Sequence, residues 1–345
     1  MGSMNAQVLG PIAAHLSDWE TAHVELAIYG TVDAQRVAQT LHDFCSSELG
    51  CPPEATLFYR SSIGAVAGLS LCDGRRVVIK AHQPDWTAER LREVARLQSL
   101  IAAGPGLAPR VVAGPTRLGR GFAIVEEYVD RGTVRNGHDA EIRRALAMSL
   151  HAIVEYLAVA GSPSTLPPSL LTSALPGELW PQPHSKLFDF DATRRGAEYI
   201  DELAAAARAL MAPTGRRVSG HSDWRSEHVR FEGDKPIVAY DWDSLCTEQE
   251  PALVGVTAHM FCADFSRGDI PQAPTFEEAR AFVADYEDAA KRRFTPNERV
   301  SCGAAFAYSM AYTSRCGHAV GVDARDQAGS FQHSVWTLGT GLMSL

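Results

Sequence analysis

In "DAQRVAQTLHDFCSSELG", residues 33 to 50, the apolar positions Val37, Leu41 and Phe44 recur at i, i+4 and i+7. That spacing predicts a helix with Asp33 as its N-cap and Gly50 as its stop, and residues 1–54 read as a mostly helical extension. The period then changes. "ATLFYRSS", "GLSLCDG" and "RRVVIKAH" are short β-prone runs, the last two joined through Asp73-Gly74, and they predict an antiparallel meander rather than a β-α-β unit. "TAERLREVARLQSLIAAG" returns to helical spacing, with Leu91, Val94, Leu97 and Ile101 on one face and Gly104 at its end. Two further strands, "APRVVAGPTR" and "GFAIVEEYV", follow around the turn-like "LGRG". Residues 55–130 therefore predict three strands, a helix and two strands.

Beyond Asp130 the pattern is largely helical. "EIRRALAMSLHAIVEYLAVAG" places Ile142, Leu146, Leu150, Ile153 and Leu157 on one face, as the core helix of a second lobe. Residues 161–184 are rich in Pro, Ser and Leu and read as a long irregular segment. "AEYIDELAAAARALM" resumes helix, and "HVRFEG" and "PIVAYDW" flank Gly233-Asp234 as a hairpin. In "TFEEARAFVADYEDAAKRRF", Thr275 and Glu278 have capping-box spacing.

Composition limits the class. The chain has 345 residues, 46% hydrophobic and 21% charged, the balance of a globular protein with room for two lobes. No apolar run approaches the ~18 residues of a membrane span, and the N-terminus lacks a secretory pattern, so a cytoplasmic location without membrane partners is expected. "MGSM" has the look of an expression scar. A net charge of −9 argues against nucleic acid as partner and is compatible with a cationic small molecule. Monomer and homodimer are equally compatible. The seven cysteines are scattered without a C-x-x-C pair, which predicts reduced thiols, each a small buried hydrophobe.

The candidate chemistry sits at a few polar positions. Lys80 ends an apolar strand, and a buried lysine there needs an anionic partner, for which Glu93 on the next helix is suitably spaced. A Lys–Glu pair of this kind can present its ammonium to a phosphate; the alternative is a surface lysine at a strand end. In "GHSDWRSEHVRF", Asp223 lies in a loop, and Asp241 follows the next hairpin. Two carboxylates brought together there would hold a divalent cation, Mg²⁺ by donor hardness, or divide into a base and a ligand. His221, Asp223 and His228 do not have a standard zinc spacing.

Taken in order, Lys80, Glu93, "EEYV", "HSDWRSEH" and "DWDS" resemble the aminoglycoside phosphotransferase family of the protein-kinase-like fold, over residues 55 to 250. The resemblance implies an α+β, bilobal chain: a five-stranded antiparallel N-lobe over 55–130 and a mainly helical C-lobe over 131–345. It implies an ATP- or GTP-dependent transfer to a hydroxyl of a small molecule, an antibiotic or a sugar or amino-alcohol metabolite. Lys80, steadied by Glu93, would contact the α/β-phosphates, and Ser61, Ser62 and Gly64 would lie in the loop over them. Glu127 and Tyr128 would form the purine-binding hinge. Asp223 would be the catalytic base, with His221 beside it, and Asp241 the chief Mg²⁺ ligand. His228 stands where the family has asparagine, which admits Mn²⁺, a phosphate contact or a weakened, nucleotide-binding pseudokinase. Acidic Asp243, Glu248 and Asp264, with Glu250 and Asp269 nearby in sequence, are where the family builds its acceptor pocket. Trp180 and Trp224 read as packing residues.

Overall fold

The computed structural model describes residues 6–18, 22–161 and 164–345. They divide into two compact units, one over 1–102 and 109–130, the other over 103–108 and 131–345.

The first unit opens with helices α1 (Ala6–Asp18), α2 (His23–Tyr29) and α3 (Ala34–Glu48). Asp33 caps α3 as its spacing predicts, accepting the Arg36 N–H at 3.0 Å. Strands β1 (Pro53–Ser61), β2 (Ala65–Leu71) and β3 (Arg76–His82) follow, then α4 (Ala88–Ala103), β4 (Val111–Leu118) and β5 (Gly121–Glu127). They form one antiparallel sheet in the order β1-β2-β3-β5-β4. The N-terminal helices share a single core with this sheet: Val8, Ile12, Val37 and Leu41 are buried in the same cluster as Leu69, Val77 and Ile79. Helix α4 buries Leu91, Val94, Leu97 and Ile101, the face its periodicity marks out.

One expectation is corrected here. Cys51 and Cys72 form a disulfide, whereas all seven thiols read as reduced from sequence. The antiparallel register explains it: Pro53 pairs with Leu71 and the Cys72 N–H donates to the Pro52 carbonyl, so two cysteines 21 positions apart meet with their Cα atoms 6.1 Å apart. The other five are free and buried.

The second unit is mainly helical. Helix α5 (Ala140–Ala160) buries the five positions expected of it. An irregular segment leads to α6 (Glu198–Leu210), interrupted by a 3₁₀ turn over Leu170–Thr172. Four short strands follow: β6 (Arg217–His221), β7 (Val229–Glu232), β8 (Lys235–Ala239) and β9 (Leu245–Gln249). Strands β7 and β8 are the expected hairpin, with Gly233 at φ +61° in its turn, while β9 returns to pair with β6. The remaining helices are α7 (Glu250–Ala258), α8 (Phe276–Ala289), α9 (Pro296–Ala319) and α10 (Phe331–Leu338). Thr275 and Glu278 close a capping box on α8, and Thr295 and Glu298 close a second on α9. Among the described residues no helix is long and apolar enough to cross a membrane.

Candidate active site

Strand β6 ends at His221, whose ring has no solvent exposure. Its Nε2–H donates to the Tyr240 carbonyl at 3.1 Å, and its Nδ1 accepts the Asp223 backbone N–H at 3.2 Å. Donor on one nitrogen and acceptor on the other make a neutral imidazole, and burial pushes its pKa down to about 4. Trp224 and Trp242 stand edge-on to the ring at 5.5 and 5.2 Å between centroids. Their indole N–H groups donate to the carbonyls of Leu146 on α5 and Ala239 on β8, at 2.9 and 2.7 Å. His221 thus ties the loop after β6 to the loop after β8, and the two tryptophans fasten both loops to the core.

The loop residues converge on one side of that clamp. Arg225 Nη1 donates to Asp223 Oδ1 at 2.5 Å, and the carboxylate is 24% exposed. Burial pulls the Asp223 pKa upward, but the neighbouring charge of Arg225 foremost outweighs it and holds the group below the ordinary carboxylate value. His228 Nδ1 lies 3.1 Å from the Asp223 backbone carbonyl and 3.7 Å from Asp223 Oδ2. Asp241 adopts left-handed backbone, φ 65° and ψ 41°, a conformation that short polar side chains tolerate best among non-glycine residues. Ser244 stabilises it, donating its N–H to the Asp241 carbonyl at 3.0 Å and its hydroxyl to Oδ2 at 3.3 Å.

Asp223, His228 and Asp241 each offer a ligand atom, and these atoms all lie within 4.8 Å of one another. Two carboxylates and an imidazole at that spacing fit a divalent cation. Sequence reasoning passed over Arg225. Its Nε also donates to Glu227 at 3.1 Å, and its guanidinium lies 5.2 Å from the centre of the Phe265 ring. The available signal was the D-x-R-x-E alternation of charge inside the loop.

Lys80 is buried in β3, opposite Val66 on β2 and Ile124 on β5. Glu93, on α4, is gripped bidentately by Arg96, with both contacts at 2.8 Å. The Ser61 hydroxyl turns inward to His15 Nε2 at 2.8 Å, while Ser62 is exposed and donates its N–H to the Gly64 carbonyl. A Cβ on Gly64 would come within 2.7 Å of the Ala81 carbonyl oxygen, so this turn requires glycine. The Glu127 carboxylate accepts from the backbone and side chain of Arg110, and the Tyr128 N–H donates to the Arg76 carbonyl.

In the second unit Asp243 lies in the 3₁₀ turn after Asp241. Glu248 accepts the Thr172 hydroxyl, and Asp264 is buried and accepts both the N–H and the hydroxyl of Ser266. His151, Glu155 and Glu250 are also close enough to suit an ion. There, however, Glu250 is already bonded to Arg216, Arg292 and the Tyr286 hydroxyl, so that cluster is an ion-pair network.

Residues 69–250 match the model of the phosphotransferase enzyme family. No curated protein matches the chain. Among solved structures, the apoenzyme of macrolide 2′-phosphotransferase MphH from Brachybacterium faecium is 18% identical, with a TM-score of 0.50 over 87% of this chain and 98% of that one. Amicoumacin kinase hAmiN, in complex with AMP-PNP and Ca²⁺, is 10% identical, with a TM-score of 0.57 over 84% and 90%. An ethanolamine kinase from Plasmodium vivax is 12% identical, with a TM-score of 0.51 over 97% and 94%. At these identities the likeness is one of fold, and it is kinase-like, α+β.

Proposed function

The chain belongs to the phosphotransferase enzyme family, and on that premise we propose that it transfers the γ-phosphate of ATP or GTP to a hydroxyl of a small molecule in the cytoplasm. The observation that carries this reading is the convergence of Asp223, His228 and Asp241 beside the buried His221 clamp. A carboxylate held ionised next to a cation-binding pair is what phosphoryl transfer needs from a protein.

Asp223 orients the acceptor hydroxyl and takes its proton as the new O–Pγ bond forms. The bond from Pγ to the β-phosphate oxygen breaks, and the nucleoside diphosphate leaves with the electron pair. Asp241 and His228 would hold Mg²⁺ or Mn²⁺, which neutralises phosphate charge when bound. His221 positions Asp223 through the backbone N–H and stays neutral while doing so. Lys80, supported by Glu93, is assigned to the α/β-phosphates. The turn of Ser62 and Gly64 is assigned to the phosphates through its backbone, with Ser61 as its anchor, and the backbone at Glu127 and Tyr128 to the purine. Residues 55–130 then serve the nucleotide and 131–345 the acceptor, with 1–54 as a helical support. The similar structures, a macrolide phosphotransferase, an amicoumacin kinase and an ethanolamine kinase, support an antibiotic or a small metabolite as acceptor class.

His228 in the asparagine position favours one second reading, a nucleotide-binding module with weakened catalysis. The two separate by measuring nucleoside diphosphate release with Mg²⁺ or Mn²⁺ across a panel of hydroxylated acceptors. Acceptor-dependent release that Asp223→Ala abolishes supports the phosphotransferase. Nucleotide binding without turnover on any acceptor supports the module.

A further inference from the structure

The N-terminal helices reach the turn assigned to the nucleotide phosphates. Ser61 closes β1, and residues 62–64 carry the chain over into β2. Ser61 is 8% exposed, and its hydroxyl stands 2.8 Å from Nε2 of His15 on α1. That hydroxyl is spent inside the first unit, so Ser61 contributes the position of the turn rather than a ligand atom.

His15 is fixed in its turn by β1 and α2. Its ring stands edge-on to Tyr59 at 5.3 Å between centroids, and its Nε2 is 3.9 Å from Oε1 of Glu25. Glu25 has no solvent exposure, and the same Oε1 accepts the Tyr59 hydroxyl at 3.2 Å. Burial, the largest influence, raises the Tyr59 pKa far above its ordinary value, so the phenol keeps its proton and remains a donor. Glu25 Oε2 has no hydrogen-bond partner among the described residues, and a buried carboxylate so placed favours a donating imidazole beside it. His15, Glu25 and Tyr59 thus form a buried polar support under the end of β1.

Side chains tie α1 to β1 at Thr56 and at Ser61. The Thr56 hydroxyl donates to the Val8 carbonyl at 2.7 Å, and Ser61 meets His15 five residues further along the strand. From Leu57 to Ser61 a cavity of about 480 Å³ opens against Pro11 and Ala14 of α1. Packing is sparse along this end of the strand, and the His15–Ser61 contact carries its attachment to α1. The tip of the turn is fixed separately. The Ser62 N–H donates to the Gly64 carbonyl at 3.0 Å, and the Gln83 amide donates to the Ile63 carbonyl at 2.7 Å.

We propose that His15 is a positioning residue for the nucleotide phosphates: by holding Ser61 it fixes the root of the 62–64 turn and makes the helical extension part of the nucleotide site. The proposal rests on the phosphotransferase reading, which assigns that turn to the phosphates. Calorimetric binding of AMP-PNP and of adenosine to the full chain tests it, together with amide hydrogen exchange at residues 62–64 without nucleotide. His15→Ala should weaken AMP-PNP about tenfold, the worth of roughly one hydrogen bond, and leave adenosine unchanged. Exchange at 62–64 should quicken in the same variant. His15→Gln, whose amide can still bond Ser61, should recover part of the AMP-PNP loss. Ser61→Ala should match His15→Ala, and the double variant should be no weaker than either single one. Unchanged AMP-PNP affinity in both single variants, an equal loss for adenosine, or additive losses in the double variant would each overturn it. Wild-type protein that binds neither ligand counts against the phosphotransferase reading. In that case exchange at 62–64 still decides whether His15 holds the turn, and an unchanged rate in His15→Ala shows that it does not.

Discussion

His228 donates through Nδ1 to the backbone carbonyl of Asp223, at 3.1 Å. A carbonyl only accepts, so this bond fixes the proton on Nδ1 and leaves the lone pair on Nε2. That is the tautomer a metal ligand needs, and it is set by the same loop that supplies the carboxylate. On the proposed reading, Nε2 would then be the nitrogen the imidazole offers beside Asp223 and Asp241.

Nitrogen donors favour Mn²⁺ over Mg²⁺ more than oxygen donors do. His228→Asn is expected to keep or raise Mg²⁺-dependent turnover while weakening Mn²⁺ binding about tenfold, the order seen when ligand environments are altered. Electron paramagnetic resonance titration of Mn²⁺ reads the binding independently of activity. A large loss of Mg²⁺-dependent activity with Mn²⁺ affinity intact would show that the histidine does something other than ligate.

Asp223 and Lys80 should fail in different ways. Removing a general base typically costs about 10²- to 10⁴-fold in rate, so Asp223→Ala should lose turnover while thermal shift by nucleotide persists. Lys80→Ala should instead weaken nucleotide affinity by about tenfold or more, as expected for the loss of a charge-assisted phosphate contact. Equal nucleotide affinity in wild type and Lys80→Ala would remove Lys80 from the site.

Arg225 sets the ionisation of Asp223, the base on the proposed reading. Burial raises the Asp223 pKa and Arg225 lowers it, so deleting the guanidinium lets burial prevail. Asp223 must be ionised to accept a proton, and activity falls as pH drops through its pKa. Arg225→Ala should therefore move the acidic limb of the kcat/KM profile to higher pH. An acidic limb that stays in place would mean that another group controls it.

Two buried histidines make the fold acid-sensitive. Burial pushes both His221 and His259 down to about 4, against an ordinary value of 6.5. Between these values the unfolded chain binds more protons than the folded one, so stability rises with pH across that window and is lost as pH falls through it. Each can contribute up to roughly 3 kcal/mol. Urea denaturation from pH 7 to pH 4 should show the loss, and His259→Gln should flatten part of it. A stability that is constant over that range in wild type would contradict the burial of both rings.

The elements were legible wherever local period or a cap decides them. Asp33, the α4 and α5 faces, the β7–β8 hairpin and the Thr275–Glu278 box all appear where spacing places them. The Asp223, His228 and Asp241 cluster was legible because two strands separate its members by a short hairpin. What escaped was register and long-range closure. The Cys51–Cys72 bond depends on how β1 meets β2, and the β6–β9 pairing joins segments that no local pattern links. Arg225 escaped because a charged residue in a polar loop looks solvated until its partners are known, and Glu250 escaped for the converse reason.

Glu250 is 1% exposed, and its oxygens accept from Arg216, Arg292 and the Tyr286 hydroxyl, all at 2.9 Å. A carboxylate so enclosed is worth most as a brace between the start of α7 and the chain around α8. Neutralising it leaves the two guanidiniums facing an amide, and breaking a buried pair from one side costs about 3–5 kcal/mol. Arg216 and Arg292 are each 41% exposed, so water compensates part of that cost, and Glu250→Gln should destabilise by about 2–3 kcal/mol. The same measurement separates a brace from a metal site at His151, Glu155 and Glu250. In an Asp241→Asn background, where the other cluster is disabled, a chelator should leave the melting temperature unchanged. If chelation lowers it as far as Glu250→Gln does, the cluster holds an ion and the ion-pair account of Glu250 is wrong.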